Sequence, residues 1–329
     1  MRLNKISKFL SGCFHVYSKC GKIHDAEREL QRKHYCAAPI GREGTEVVVM
    51  VDGRFTHGGL SDRLRGIASV YGYCRDHGID FKIHYTYPFS LTQYLLPNQC
   101  DWEIPDADIS YSPAEAAPIV LTLDLLPSKL HKLYLARCLQ QHKEKQLHVY
   151  TNTLFDDREY SRNFHELFRP TPKLQADIDS HLSAIGGKFI GIVFRFQQLL
   201  GDFKEDGYDI LSYAEAARLV ENCLQRIGSI RQSWPSHKVL ITSDSITFLR
   251  KAQERYPYVC AVAKRVVHMD YTAAAGYEAY EKSFIDMFML SRAEKVFMYH
   301  TGKMYRSGFA QRAAKINSVP YEEVKGDNA

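Results

Sequence analysis

Four short stretches of the chain bring together residue types that bind anions or move protons. The first is His57-Gly58-Gly59-Leu60-Ser61-Asp62-Arg63-Leu64-Arg65-Gly66, between an apolar β-branched run and an amphipathic stretch. Paired glycines let a backbone approach a ligand closely, and a helix start after them offers free N–H groups to an anion. Arg63 and Arg65 add charge-assisted contacts of the kind phosphate takes. The plainer alternative is a glycine turn before a capped surface helix. The second stretch is the apolar run 189–196, which ends Val193-Phe194-Arg195-Phe196. A cation at the tip of a buried strand is costly to desolvate without an anion beside it. A bound phosphate is one such anion; a structural ion pair with Asp202, Glu205 or Asp206 is the other. The loop 201–207 over the same mouth supplies carboxylates suited to a general base. In the third stretch Asp244 ends the apolar run 240–243, placed either to accept hydrogen bonds from a base or ribose or to cap a helix near Ile246. The fourth is the run 295–299 followed by His300-Thr301-Gly302-Lys303-Met304-Tyr305-Arg306-Ser307-Gly308. Here Thr301/Gly302 and Ser307/Gly308 are competing phosphate cradles, with Lys303 or Arg306 nearby.

These residues need a scaffold that brings strand ends together, and the periodicity supplies one. Strands are expected at 45–51, 81–85, 119–126 and 147–151, with helices at 60–77 and 128–145. Residues 88–115, rich in Pro, Asn, Asp and Ser, read as loops, and a charged, Pro-containing junction follows at 155–174. The second half alternates strands at 188–196, 238–243, 259–263 and 295–299 with helices at 213–234, 246–256, 277–293 and 302–316. Strands alternating with helices predict parallel α/β sheets, and two such domains would leave a ligand cleft at the C-terminal ends of their strands. The expected divisions are a basic amphipathic helical segment at 1–42, an N-terminal Rossmann-like domain at 43–180 and a C-terminal one at 181–329.

Composition narrows the class. The chain has 329 residues, 45% hydrophobic and 25% charged, which fits a soluble globular protein and excludes a disordered, fibrous or polytopic membrane chain. The formal net charge is +5, yet nine Lys and Arg against three Asp and Glu lie within residues 1–42. The remainder is close to neutral, which argues against nucleic acid as a partner. Within residues 1–20, Leu3, Ile6, Phe9, Leu10, Cys13, Phe14 and Tyr17 share one helical face. Arg2, Lys5, Lys8 and Lys19 lie largely off it. That pattern suits an anionic membrane surface, or equally a helix docked on its own domain. The eight scattered cysteines, without CxxC, read as reduced thiols of a cytoplasmic protein. Neither a spanning stretch nor a clean signal-peptide core is read, so a cytoplasmic location is the expectation, peripheral at the inner membrane if the basic face serves that end. No metal is expected. Cys13, His15, Cys20, His24, His34 and Cys36 lack ligand-pair spacing, and Asp106-Ala107-Asp108 is a DxD without a strong strand before it. P-loop, dinucleotide, HExxH and GxSxG motifs are all missing.

Taken in order, the four stretches resemble the GDP-fucose fucosyltransferase superfamily of GT-B enzymes, which comprises the α-1,6-, α-1,2- and protein O-fucosyltransferases. His57–Gly66 is similar to that family's GGLGNRL-type turn, with Asp62 where Asn is usual. Val193-Phe194-Arg195 is similar to its HxR strand end, with Val193 in place of His, and Asp244 falls where an acidic residue often faces the nucleotide. Asp286-Met287-Phe288-Met289-Leu290-Ser291-Arg292-Ala293-Glu294 is similar to its D-x-x-x-LS-x-A-(D/E) helix. The resemblance covers about 45–85 and 187–320. It implies inverting transfer of fucose from GDP-fucose to a glycan hydroxyl in bacterial surface-polysaccharide assembly, without a cofactor or metal. Gly58, Gly59, Leu60, Asp62, Arg63, Arg195, Asp244, Thr301, Gly302, Ser307 and Gly308 would bind the donor. Arg195 would stabilise the leaving diphosphate, and Glu205, Asp202, Asp206 or His57 would be the base. Another nucleotide sugar on the same fold, or a protein that binds a sugar nucleotide without turning it over, are the alternatives that Val193 and Asp62 suggest.

Overall fold

A computed structural model of the chain describes residues 21–122, 128–202, 209–264, 269 and 276–326. The amphipathic helix expected over 1–20, and the candidate bases Glu205 and Asp206, lie outside the described residues. The chain divides into two compact units. Unit 1 takes in 21–58, Asp62–Ser90 and Pro97–Phe168; unit 2 takes in Gly59–Ser61, Leu91–Leu96 and the chain from Arg169 onward.

Unit 1 is built on four parallel strands, β1 (Glu46–Val51), β2 (Asp80–Tyr85), β4 (Ala116–Leu121) and β5 (Gln146–Thr151), in the order β2-β1-β5-β4. Every residue of β4 and β5 is buried, as expected of parallel strands covered on both faces. The covering helices are α1 (residues 21–34), α2 (Leu60–His77), α3 (Ser128–Gln141) and α4 (Tyr160–Leu167). α2 lies close to the sheet at Gly66 and close to α4 at Gly72, because these two residues lack side chains. A Cβ on Gly66 would sit 2.6 Å from the Thr151 carbonyl oxygen, and one on Gly72 would sit 2.4 Å from Asn163 Nδ2. The described part of the basic segment is built into this unit. Ile23 and Leu30 of α1 pack with Val48, Met50, Val120 and Tyr150. Glu115 then holds the chain after α1 by accepting the N–H groups of Ile40, Gly41 and Arg42. The Ser110 hydroxyl and those N–H groups pull the Glu115 carboxyl down to about 2.

Unit 2 holds five parallel strands: β7 (Phe189–Phe194), β8 (Lys238–Ser243), β9 (Val259–Cys260), β10 (Val296–His300) and β11 (Tyr321–Lys325). Their order is β11-β10-β7-β8-β9. Its helices are α5 (Pro172–Ile185), α6 (Tyr213–Gln232), α7 (Ile246–Arg255), α8 (Glu281–Leu290) and α9 (Phe309–Ile316). The order reverses between β7 and β10, the first and fourth strands of the unit, as in a Rossmann sheet. α8, the D-x-x-x-LS helix, presses on β7 where Gly191 leaves room: a Cβ there would meet Leu290 Cδ2 at 2.5 Å.

Several elements differ from expectation for identifiable reasons. The units divide at Phe168/Arg169 and not at 180/181, because α5 packs against α8 and Tyr277 donates to Asp177. The stretch 155–174 contains α4 and the short strand β6 (Phe168–Pro170), paired with β3 (Leu95–Pro97). The expected loop 88–115 sends Tyr94 into unit 2, where its ring stacks on Phe284 at 4.3 Å between centroids. α3 stops at Gln141, and Glu144 takes a positive φ of 63°. The helix expected from Gly302 begins only at Phe309, because Gly302 is left-handed at φ 55° and Met304 N–H closes a turn on the Thr301 carbonyl.

Candidate functional site

In unit 2, strand register decides which residues meet. Phe194 is paired with Ser243 of β8 and with Tyr299 of β10. Arg195, Asp244 and His300, one residue further along three adjacent parallel strands, therefore emerge at one edge of the sheet. The gap between β7 and β10 is the place where strand order reverses and where ligands of open α/β sheets bind. Arg195 flanks it from one side, Thr301 and Gly302 from the other.

Arg195 Nη1 lies 3.0 Å from Asp244 Oδ2, and the Arg195 side chain is 21% exposed. Asp244 is buried, and also accepts the N–H of Phe196 on Oδ1 (2.9 Å) and that of Gln197 on Oδ2 (2.7 Å). Burial pushes its carboxyl above the ordinary range, opposed by Arg195 and by those N–H groups. Asp244 therefore holds the arginine and shapes the turn after it. Among the described residues Asp244 is a counter-ion of Arg195, and it does not cap α7, one of the two roles expected of it. The α7 cap is Ser245, whose Oγ accepts the Phe248 N–H at 3.1 Å. Asp202 also sits at this helix start, accepting the Ser245 hydroxyl and the Thr247 N–H, each at 2.9 Å.

Beyond β10, Thr301 is buried, and Ser307 accepts the Phe309 N–H at the start of α9 with Gly308 between them. Lys303 pairs with Asp209 at 3.1 Å. Arg306 pairs with Glu323, which also binds His300.

In unit 1, β1 and β5 lie side by side at the middle of the sheet. Asp52 follows β1, and Tyr150 of β5 donates to its Oδ2 at 3.2 Å. His57 stacks on Tyr150 with 6.1 Å between centroids, and its Nε2 accepts the Gly53 N–H at 3.2 Å. Burial, and secondarily the Arg63 charge, bring the His57 imidazole down to about 3. The one lone pair of the neutral His57 ring is thus occupied by the Gly53 N–H, and burial leaves the imidazole weakly basic, which weighs against the expected role of base. Gly58 has φ 75°, and a Cβ on it would lie 3.1 Å from Asp62 Oδ2, so the turn before α2 requires glycine. Gly59 and Leu60 carry this turn into the first residue of α2. Arg63 is fully buried, and donates to the Gly58 carbonyl (2.8 Å), the Tyr85 hydroxyl (3.1 Å) and the Tyr87 carbonyl (2.7 Å). It clasps the turn from behind and is not the expected phosphate ligand. Arg65 donates twice to the Asn152 carbonyl and pairs with Asp62 at 2.8 Å, which balances the carboxylate standing in the Asn position.

Sequence reasoning missed Arg54 and Tyr111, although both belong to this polar cluster. The Arg54 guanidinium lies 3.8 Å from the Tyr111 ring centroid and 3.5 Å from Asp52 Oδ2. The signal available was a charged Asp52-Gly53-Arg54 immediately after an apolar strand. Asp106 of the DxD lies in a single 3₁₀ turn and bonds His84 at 2.9 Å. Among the described residues no group of three or more His, Cys, Asp and Glu is placed to hold a metal, and no helix is long and apolar enough to cross a membrane.

Solved structures with this architecture include NodZ α-1,6-fucosyltransferase soaked with GDP-fucose, at TM-score 0.55 and 18% identity, covering 86% of this chain and 95% of that one. The chain has the fold of this fucosyltransferase. A selenomethionine form of fucosyltransferase NodZ from Bradyrhizobium superposes at TM-score 0.54 and 17% identity, covering 86% and 96%. A point mutant of Arabidopsis thaliana FUT1 in complex with GDP superposes at 0.57 and 14%, covering 94% of this chain and 78% of that one. No protein-family model and no curated protein sequence matches. At these identities the likeness is one of fold.

Proposed function

We propose that the chain is a fucosyltransferase of the GDP-fucose superfamily. In this reading it transfers fucose from GDP-fucose to a glycan hydroxyl with inversion, as a cytoplasmic step of bacterial surface-polysaccharide assembly near the inner membrane. The observation that carries the proposal is Arg195. A guanidinium held by a buried carboxylate stands at the strand-order reversal of a sheet whose fold is shared with a fucosyltransferase soaked with GDP-fucose. The GT-B arrangement, with the donor between two Rossmann-like domains, is part of the same proposal.

The chemistry follows from charge. As the glycosidic bond breaks, negative charge builds on the departing diphosphate. Arg195 and N–H groups at the glycine turn before α2 and at Ser307/Gly308 before α9 would stabilise it in the transition state. Thr301, Gly302 and Lys303 line the β10 side of the same edge. Arg195 needs no new fixation to act, because Asp244 already sets its orientation. The unit 1 cluster of Asp52, Arg54, Tyr111 and Tyr150 would then face the acceptor. Release of nucleotide from a panel of GDP- and UDP-sugars tests the proposal. Turnover of GDP-fucose alone is the expected result. Turnover of a UDP-sugar in its place would assign another donor, and tight GDP binding without turnover on any glycan would assign a binding protein.

A further inference from the structure

The segment from Arg195 to Asp202 is pinned at both ends to one short turn, residues 243–247. At its near end Asp244 takes the N–H groups of Phe196 and Gln197, and Gln197 is held at φ 52°, a left-handed conformation uncommon outside glycine. Two internal turns compact the middle, Leu199 N–H to the Phe196 carbonyl and Gly201 N–H to the Gln198 carbonyl. At its far end Asp202 Oδ2 accepts both the Ser245 hydroxyl and the Thr247 N–H. Ser245 is fully buried and is itself fixed as the cap of α7. The two carboxylates therefore work as a pair on consecutive anchor points.

We infer that Asp202 is a positioning residue for Arg195, and that it is not the general base. The inference rests on the proposed function, since it assigns Arg195 the terminal phosphate of a nucleoside diphosphate. A base must offer an oxygen to the acceptor hydroxyl. Asp202 Oδ2 is occupied by two donors, and Oδ1 is buried, closed to a hydroxyl arriving from outside. What the carboxylate does is close the loop that begins at Arg195. Without that closure the loop keeps Asp244 on the Phe196 and Gln197 N–H groups, Tyr305 N–H on the Arg195 carbonyl and Leu211 N–H on the Leu199 carbonyl, but loses its tie to the start of α7.

The two roles separate in two substitutions. Asp202→Asn keeps an oxygen for the Ser245 hydroxyl and the Thr247 N–H but cannot take up a proton; Asp202→Ala removes the tether. The affinity ratio of GDP over GMP isolates the terminal phosphate, and is read by titration calorimetry beside kcat for GDP-fucose. Positioning predicts that the Ala variant loses at least about tenfold of the ratio, the weight of one charge-assisted contact, while Asn stays within about threefold of wild type in ratio and kcat. A base predicts that Asn loses about 100-fold or more in kcat with the ratio intact, which would overturn the inference. An Ala variant that melts normally and keeps the full ratio would overturn it too; if Ala fails to fold, the Asn result decides. Wild-type protein with no preference for GDP over GMP would instead overturn the proposed function, and this assignment with it.

Discussion

Replacing Asp244 with Asn removes one charge and one acceptor from a buried carboxylate whose two oxygens are both in use. Oδ1 takes the Phe196 N–H; Oδ2 takes the Gln197 N–H and Arg195. An amide offers one oxygen, so one N–H must face an NH₂ group and loses its partner, at about 1–3 kcal/mol. Arg195 loses its anion in the same step. Breaking a buried pair from one side costs about 3–5 kcal/mol, and since the two losses overlap, that range is the expected total. Ser245→Ala, which removes the actual cap of α7 together with the hydroxyl's bond to Asp202, should still cost less, about 1–2 kcal/mol. Urea unfolding measures both. Of the two tryptophans Trp102 lies in unit 1 and Trp234 in unit 2, so Trp234 fluorescence in a Trp102→Phe background reports the unit that carries Asp244. Equal costs near 1 kcal/mol for Asp244→Asn and Ser245→Ala would refute the reasoning and return Asp244 to the role of a cap.

The His57 imidazole binds a proton near 6.5 in the unfolded chain and only near 3 when folded. Its contribution to stability is therefore complete above pH 6.5 and is lost as pH falls toward 3; near pH 5 wild type should lose about 1 kcal/mol more per pH unit than His57→Gln. Parallel stability curves from urea unfolding at pH 5 and 7 would contradict the buried, neutral assignment. Gly191→Ala places a Cβ 2.5 Å from Leu290 Cδ2 and should cost about 1–3 kcal/mol, part of which Leu290→Ala restores in the double variant. Strictly additive costs would mean that α8 does not rest on β7 at that point.

The strands and most helices were legible because their apolar runs are long and bounded by turn residues: α2 and β8 begin and end where the pattern changes. β11 was not, because Tyr321-Glu322-Glu323-Val324-Lys325 is an exposed edge strand with no apolar face to betray it. α5 was hidden by its own start signal: the Thr171 cap and Pro172 read as a charged, Pro-containing junction, although Thr171 accepts the Leu174 N–H as a helix cap does. At the site, a cation at the tip of β7 was visible in sequence, but Asp244 as a partner for it was not. Chain proximity favours 202, 205 and 206, whereas the parallel register of β7 and β8 delivers Asp244. Arg63 shows the same limit in reverse. Its motif position suggests a ligand contact, yet two of its partners, Tyr85 and Tyr87, come from the end of the next strand and fix it inside the unit.

Arg195 against the diphosphate of a guanine nucleotide sugar is the central contact of the proposed reaction. Calorimetric titration of GDP into wild-type protein and into Arg195→Ala tests this most directly, with folding of the variant checked by thermal melting. The predicted result is saturable binding by wild type and a loss of at least about 1.5–3 kcal/mol, roughly 10- to 100-fold or more, in the folded variant. Undiminished GDP affinity in folded Arg195→Ala would contradict the placement of the phosphate site.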